Sequence, residues 1–325
     1  MIPLIALEEH FLSQEMINTA EGMYSEQLKW LDGVRDKLDD IGPLRISEMD
    51  KGGVTMQIVS HAPIADASTV ALCTAANKQL YEAVQANPDR FAGFAVLPMA
   101  DPVGAAGELR RCVKEFGFVG TLIDNHVNGQ HYEGDEYLKF WKTAEELDVP
   151  VYLHPTWPSE DMVPRYEGNF STGAALSIGS SGFGWHADTQ LHVLKLFASG
   201  LFDKCPKLKL IIGHMGEMIP FQLERITYIS SRWGNRKRSF QEVYDNNIWI
   251  TTSGVWSLSP MACILRNTKI DKILFSIDYP FAQNIWGLKF MEDLESSGMV
   301  TKEQFEMIGY KNAENLLKVK VAGIR

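Results

Sequence analysis

Cysteine is sparse in this chain of 325 residues: Cys73, Cys112, Cys205 and Cys263 stand far apart, with no CxxC pair. Such spacing argues against a disulfide scaffold and fits reduced thiols packed as small hydrophobes in a cytoplasmic protein. Long apolar runs are also missing, and no stretch approaches the roughly 18 residues that a membrane span requires. No basic segment precedes the first apolar run, so a secretory leader is not expected. There is no Pro-rich, Gly/Ser-rich or low-complexity tract, no internal repeat, and no linker that would split the chain, so residues 1–325 are expected to form one domain. Positive charge is in deficit, with 31 Lys and Arg against 41 Asp and Glu, for a net charge of -10. No Lys/Arg cluster alternates with aromatics, which excludes nucleic acid as a natural partner. A small anionic ligand would need a local cation.

What the chain does contain is alternation. Short apolar or β-branched runs lie at 3–8, 55–60, 91–97, 118–123, 149–153, 208–213, 247–252 and 272–277. Helix-like stretches separate them, among them 68–87, 101–116, 134–147, 186–202, 218–234 and 302–318. Asp101-Pro102 is a helix start, since proline suits the first turn. Near-continuously apolar strands between helices predict a parallel sheet covered on both faces. Eight of them suit an α/β fold closed as a (β/α)8 TIM barrel. A doubly wound fold is disfavoured because no strand is followed by GxGxxG. Segment 12–52 is a long insertion after strand 1, and 155–183 is a long loop rich in Gly, Ser and Pro. Both are expected over one end of the barrel.

Ionisable residues gather at the strand ends. The first strand runs "PLIALEEHF", so an apolar ramp ends in Glu8, Glu9 and His10. Residues two apart in a strand project to the same side, so Glu8 and His10 face the axis together while Glu9 points away. His154 in "VYLHPTW", His214 in "IIGHMGE" and Asp278 in "LFSIDYPF" close later strands. Buried carboxylates without partners cost several kcal/mol, so these need a cation or shifted pKa values. Two imidazoles and two carboxylates suit Zn2+ or Mn2+.

Across nearly its whole length the chain resembles the metal-dependent decarboxylases of the amidohydrolase superfamily, relatives of aminocarboxymuconate semialdehyde decarboxylase. The resemblance is strongest to the γ-resorcylate, 2,3-dihydroxybenzoate and salicylate decarboxylases. It rests on "IALEEHF", "DRFAGFAVLPMADP", "GFVGTLI", "DVPVYLHP", "LFASGLFDKCPKLKLIIGHMGE" and "ILFSIDYPF". It implies an amidohydrolase-type barrel with one divalent ion on Glu8, His10, His154 and Asp278. Zn2+ or Mn2+ is expected, Mg2+ is admissible, and no organic cofactor is implied. His214 and Glu217 are then catalytic beside Asp278, and Arg225 in "FQLERI" holds the substrate. His61 and Phe281 are further candidates for substrate binding. The implied reaction is non-oxidative, reversible decarboxylation of an ortho-hydroxy aromatic acid, giving CO2 and a phenol. The implied assembly is a homodimer or homotetramer.

Two features separate the chain from the superfamily's hydrolases, the alternative reading for a lactone or amide substrate. Strand 1 carries ExH rather than HxH, and 118–124 holds no lysine to bridge a second ion. Other positions depart from the resorcylate branch, with His61 in place of Asn and Asp188 in place of Glu. His192 is expected to be structural, His186 is a candidate pocket residue, and His126 and His131 are expected to be solvated.

Overall fold

Eight parallel strands follow one another around a single sheet in chain order. They are β1 (Ile5–Phe11), β2 (Met56–His61), β3 (Phe91–Ala95), β4 (Gly120–Asp124), β5 (Val151–His154), β6 (Leu210–Ile212), β7 (Ile248–Thr251) and β8 (Ile273–Leu274). The computed structural model describes residues 2–16, 31, 33–64 and 69–321. Alternation along the strands divides their side chains between two apolar clusters. The exception is β1, where a register shift between Ala6 and Glu9 interrupts it, so that Ile5 and Leu7 as well as Glu8 and His10 face the barrel. Ile5, Leu7, Ile58, Phe94, Leu122, Tyr152 and Ile211 fill the barrel, together with Tyr310, Ala313 and Leu316 from the C-terminal segment. Their neighbours Ala6, Val59, Ile123, Leu153 and Ile212 face the surrounding helices. The fold is thus the (β/α)8 barrel that the strand count predicted.

Side chains close the barrel between β8 and β1. The Ser276 hydroxyl accepts from the N–H groups of Leu7 (3.1 Å) and Glu8 (2.7 Å). Glu9 Oε1 accepts from the Ser276 hydroxyl (3.2 Å) and from the Ile277 N–H (3.0 Å), while Oε2 accepts from Gln57 Nε2 (3.0 Å). Backbone bonds run alongside, from Asp278 N–H to the Glu8 carbonyl and from His10 N–H to the Tyr279 carbonyl. Burial pushes the Glu9 pKa up to about 8, against the pull of the Ile277 N–H and of Arg45.

Three expectations need adjustment. Strand 1 does not stop at Glu8 but runs through His10 to Phe11, because every polar group in it meets a partner or the site. Within 12–52 the described residues form two helices, Val34–Asp39 and Pro43–Lys51. The 155–183 loop contains a helix, Thr172–Gly179, started by Ser171 Oγ accepting from the Ala174 N–H at 3.2 Å. A Gly/Ser-rich composition masked that helix.

Arg45 fastens the inserted helices to the barrel. It is fully buried, donating to the Asp40 carbonyl (3.0 Å), to Gln57 Oε1 (3.2 Å) and to the His10 carbonyl, with its guanidinium over the Tyr279 ring. Arg45→Met would leave these acceptors unpaired and should cost about 3 kcal/mol. The check is a fall in urea midpoint at constant m value.

Candidate metal centre

His154 ends β5 with its Nδ1–H donated to the Pro155 carbonyl at 2.6 Å. That leaves Nε2 to face Glu8 Oε1 at 3.1 Å. Two acceptor atoms held at that distance repel unless a proton or a metal cation stands between them. Against the opposing effect of burial, Glu8 raises the His154 pKa accordingly. Glu8 is also clamped from behind, with Oε2 accepting from Ser253 Oγ (2.6 Å) and from the Tyr152 hydroxyl. His10 sets Nε2 3.4 Å from Asp278 Oδ1, and its ring lies 4.8 Å edge-on from that of His154. One donor atom from each of Glu8, His10, His154 and Asp278 falls within 4.8 Å of the others. Glu8 Oε1 and His10 Nε2 are buried without a hydrogen-bond partner. Two imidazole nitrogens and two carboxylate oxygens converging on one point, two of the four atoms otherwise without a partner, fit a divalent ion.

The electrostatics agree with this geometry. Burial alone would raise the pKa of Glu8, but His214, His154 and His10 outweigh it and hold the carboxyl well below its ordinary range. An ionised, wholly buried carboxylate ringed by imidazoles is ready for a cation without losing a proton first.

Beyond β6 the chain turns through five consecutive residues at positive φ: His214 (49°), Met215 (57°), Gly216 (89°), Glu217 (50°) and Met218 (64°). Four carry side chains, and left-handed backbone costs such residues about 1–2 kcal/mol each. The turn sets His214 Nδ1 2.7 Å from Glu217 Oε1, while Nε2 stands 3.5 Å from Glu8 Oε1. Burial disfavours charge on both groups of this pair, yet their attraction prevails: Glu217 falls to about 2 and His214 rises to about 10.

The other expected site residues divide. Phe281 packs its ring 5.8 Å from that of His10. His186 joins the cluster, with Nδ1 2.7 Å from Glu217 Oε2. His61 is buried, its pKa lowered to about 4 by that burial, and both its nitrogens are engaged: Nε2 accepts from the Ser13 N–H (3.0 Å), Nδ1 donates to the Ala62 carbonyl (2.7 Å). It ties the ends of β1 and β2 together and leaves no nitrogen for a ligand. Arg225 lies on the exposed face of the helix Ile219–Ser230, outside the Glu8 cluster.

His126 and His131 are not solvated but buried. His131 bonds to Asp188 Oδ2 at 3.1 Å, Asp188 accepts from Asn125 Nδ2, and Asn125 Oδ1 meets His192 Nδ1 at 3.0 Å. His192 also accepts the Tyr132 N–H at 3.0 Å and is structural. Sequence reasoning missed Tyr152 and Ser253, the two hydroxyls that orient Glu8. Their signal was the same two-residue period, since Tyr152 precedes His154 by two and Ser253 follows Thr251 by two.

Two experiments probe this geometry. A Cβ on Gly213 would fall 2.7 Å from Glu8 Oε2, so Gly213→Ala should weaken metal binding about 10–100-fold, the usual penalty for disturbing a ligand's support. Titration calorimetry reads that directly. The His214 pKa lies above its ordinary 6.5, so its stabilisation is complete below about pH 6.5 and is lost as pH rises through about 10. Metal-free wild type should therefore melt above His214→Gln near neutrality, with the gap narrowing toward alkaline pH.

Known proteins share this arrangement of fold and chain. A family model described as amidohydrolase matches residues 23–319. The decarboxylase orsB of Emericella nidulans is 49% identical over 322 residues, covering 98% of this chain and 97% of its own. The gamma-resorcylate decarboxylase of Polaromonas sp. is 37% identical, covering 97% of this chain and 98% of its own. A crystal structure of a dihydroxybenzoic acid decarboxylase from Polaromonas sp., with bound manganese and the inhibitor 2-nitroresorcinol, is similar at TM-score 0.87 and 34% identity, covering 98% of this chain and 97% of that one.

Proposed function

The chain belongs to the amidohydrolase family, and on that premise we propose that it is a metal-dependent carboxy-lyase acting on an ortho-hydroxy aromatic acid. The substrate class is a hydroxybenzoate of the 2,6-dihydroxy, 2,3-dihydroxy or salicylate type. The observation that carries this reading is the four-donor nest of Glu8, His10, His154 and Asp278, in a chain 49% identical to a decarboxylase. A divalent ion held by Glu8, His10, His154 and Asp278 would supply a Lewis-acidic template for the carboxylate and its ortho oxygen. Manganese is favoured because a similar structure holds it, with zinc or magnesium as alternatives to be assayed.

Decarboxylation of the anion breaks the bond from ring to carboxylate and forms a C–H bond at the same carbon, consuming one proton per turnover. Asp278 is the group we assign to deliver that proton, after first taking it from the substrate's ortho hydroxyl; solvent restores the hydroxyl proton as the phenol leaves. Its side chain is the most open of the four candidate ligands, 19% exposed against 0% for His10 and Glu8 and 4% for His154. The His214–Glu217 pair beside it, neutral as a whole, would keep the His214 ring oriented toward the site. A hydrolase reading is disfavoured because β4, "GTLID", supplies no lysine to bridge a second ion.

The same chain is proposed to assemble as a homodimer or homotetramer. Phe221, Arg225 and Tyr228 share one face of the helix Ile219–Ser230, with Phe221 84% and Tyr228 68% exposed. Aromatics with an arginine are typical of protein interfaces. Free cysteines support a reducing, cytoplasmic setting.

A screen of hydroxybenzoates should detect CO2 release that stops on chelation and returns with Mn2+. A new acid group without CO2 would favour a hydrolase. Asp278→Asn should keep an oxygen ligand yet lose roughly 10²–10⁴-fold in kcat, the effect of removing a general acid. In D2O the wild-type product should carry deuterium where CO2 departed.

A further inference from the structure

Glu217 is fully buried, and a buried carboxylate needs donors on both oxygens. Oε1 is taken by His214 Nδ1 and Oε2 by His186 Nδ1, each at 2.7 Å. The two imidazoles thus grip one carboxylate from both sides, with their own rings 4.7 Å apart. His186 is itself held at its far nitrogen, where Nε2 stands 3.0 Å from the Ser181 carbonyl. Ser181 lies in the turn between the helices Thr172–Gly179 and Gly184–Ala198, so His186 is braced by its own helix and by the turn before it.

We propose that His186 is a positioning residue for the decarboxylation, holding the Glu217 carboxylate in the one rotation that aligns His214 at the barrel mouth. The geometry gives it something to do that neighbouring elements do not. Glu217 sits in the left-handed turn 214–218, where the backbone is not a regular helix and does not fix the side chain's direction. The final torsion of a glutamate is broad and roughly two-fold, so one hydrogen bond to His214 leaves the plane of the carboxylate free to swing. A second bond, from a ring anchored elsewhere, removes that freedom. His186, His214 and Glu217 offer donor atoms close enough together to suggest an ion site, but both Nδ1 atoms already face the carboxylate. The trio is a clamp.

This inference rests on the role given to His214 above, and two measurements keep the two apart. The first is kinetic. His186→Ala should lower kcat about 10–100-fold with little change in KM or in metal content, the loss expected for a misaligned charged hydrogen bond. It should also lower the melting temperature modestly without unfolding the protein, because Glu217 Oε2 loses its donor. His186→Asn places an amide N–H close to the position of Nδ1, and should restore most of that loss. The second needs no turnover. In 15N-histidine-labelled protein loaded with diamagnetic Mg2+ or Zn2+, the His214 Nδ1 proton should resonate far downfield in wild type and in His186→Asn. In His186→Ala it should move upfield or broaden. If wild type releases no CO2 from any hydroxybenzoate, the functional reading fails while the proton signal still decides the role of His186. Equal impairment of the Ala and Asn variants would overturn the positioning role. So would an activity loss that tracks lost metal or lost folding, or an unchanged His214 proton in His186→Ala.

Discussion

The Glu9 carboxylate accepts hydrogen bonds from Ser276 and Ile277, and Ser276 accepts from Leu7 and Glu8. These bonds join the first strand to the chain beyond the last. A sheet of eight strands becomes a barrel only if that seam closes, and β8 itself is only two residues long. The carboxylate and the hydroxyl therefore do what a longer ladder would otherwise do. The same seam fixes the candidate metal site. Glu8 and His10 flank Glu9 on one side, and Asp278 follows Ile277 on the other. Turning Glu9 outward into the seam is what turns Glu8 and His10 inward.

The middle residue of "EEH" thus explains the outer two. Its neighbours are positioned by the register shift between Ala6 and Glu9, which reverses the alternation set by Ile5 and Leu7, and Glu9 holds the strand there with Gln57 and Arg45 behind it. Arg45 links this inner seam to the inserted helices by donating to the His10 carbonyl. Burial on this scale is tolerable because the polar groups of the seam bond to one another, while Glu8 Oε1 and His10 Nε2, which face the nest, are left without a hydrogen-bond partner.

Much of this was legible in the sequence, and the reason is periodicity. Each of Glu8, His10, His154 and Asp278 alone could be a structural histidine or a loop carboxylate, but together, at the ends of apolar runs on one side of the sheet, they stand out as a site. Tyr152 and Ser253 were missed despite their two-residue spacing, because a tyrosine in a strand or a serine just past one raises no such question. His186 was harder still. Its contact with Glu217 depends on five residues of left-handed backbone, of which only Gly216 gives a hint. The loop "NHVNGQHY" reads as polar and solvated, yet Asp188 and His192 from a distant helix draw its histidines inside. Composition reports local preference, whereas burial there is decided by a helix some 60 residues away in the chain.

The seam also has a consequence in time. Glu8 and Ser276 are 268 positions apart in the chain, and the candidate ligands come from both ends of it. During synthesis at about 5–20 residues per second, Glu8 and His10 would wait roughly 15–55 s for Asp278 to follow them. Until then an emerging chain would have to keep a strand with two carboxylates and an imidazole unpaired, held by no closed barrel. Were an ion taken up by all four candidate residues, its capture would be a late event in the life of each molecule, coming only after the last strand has met the first.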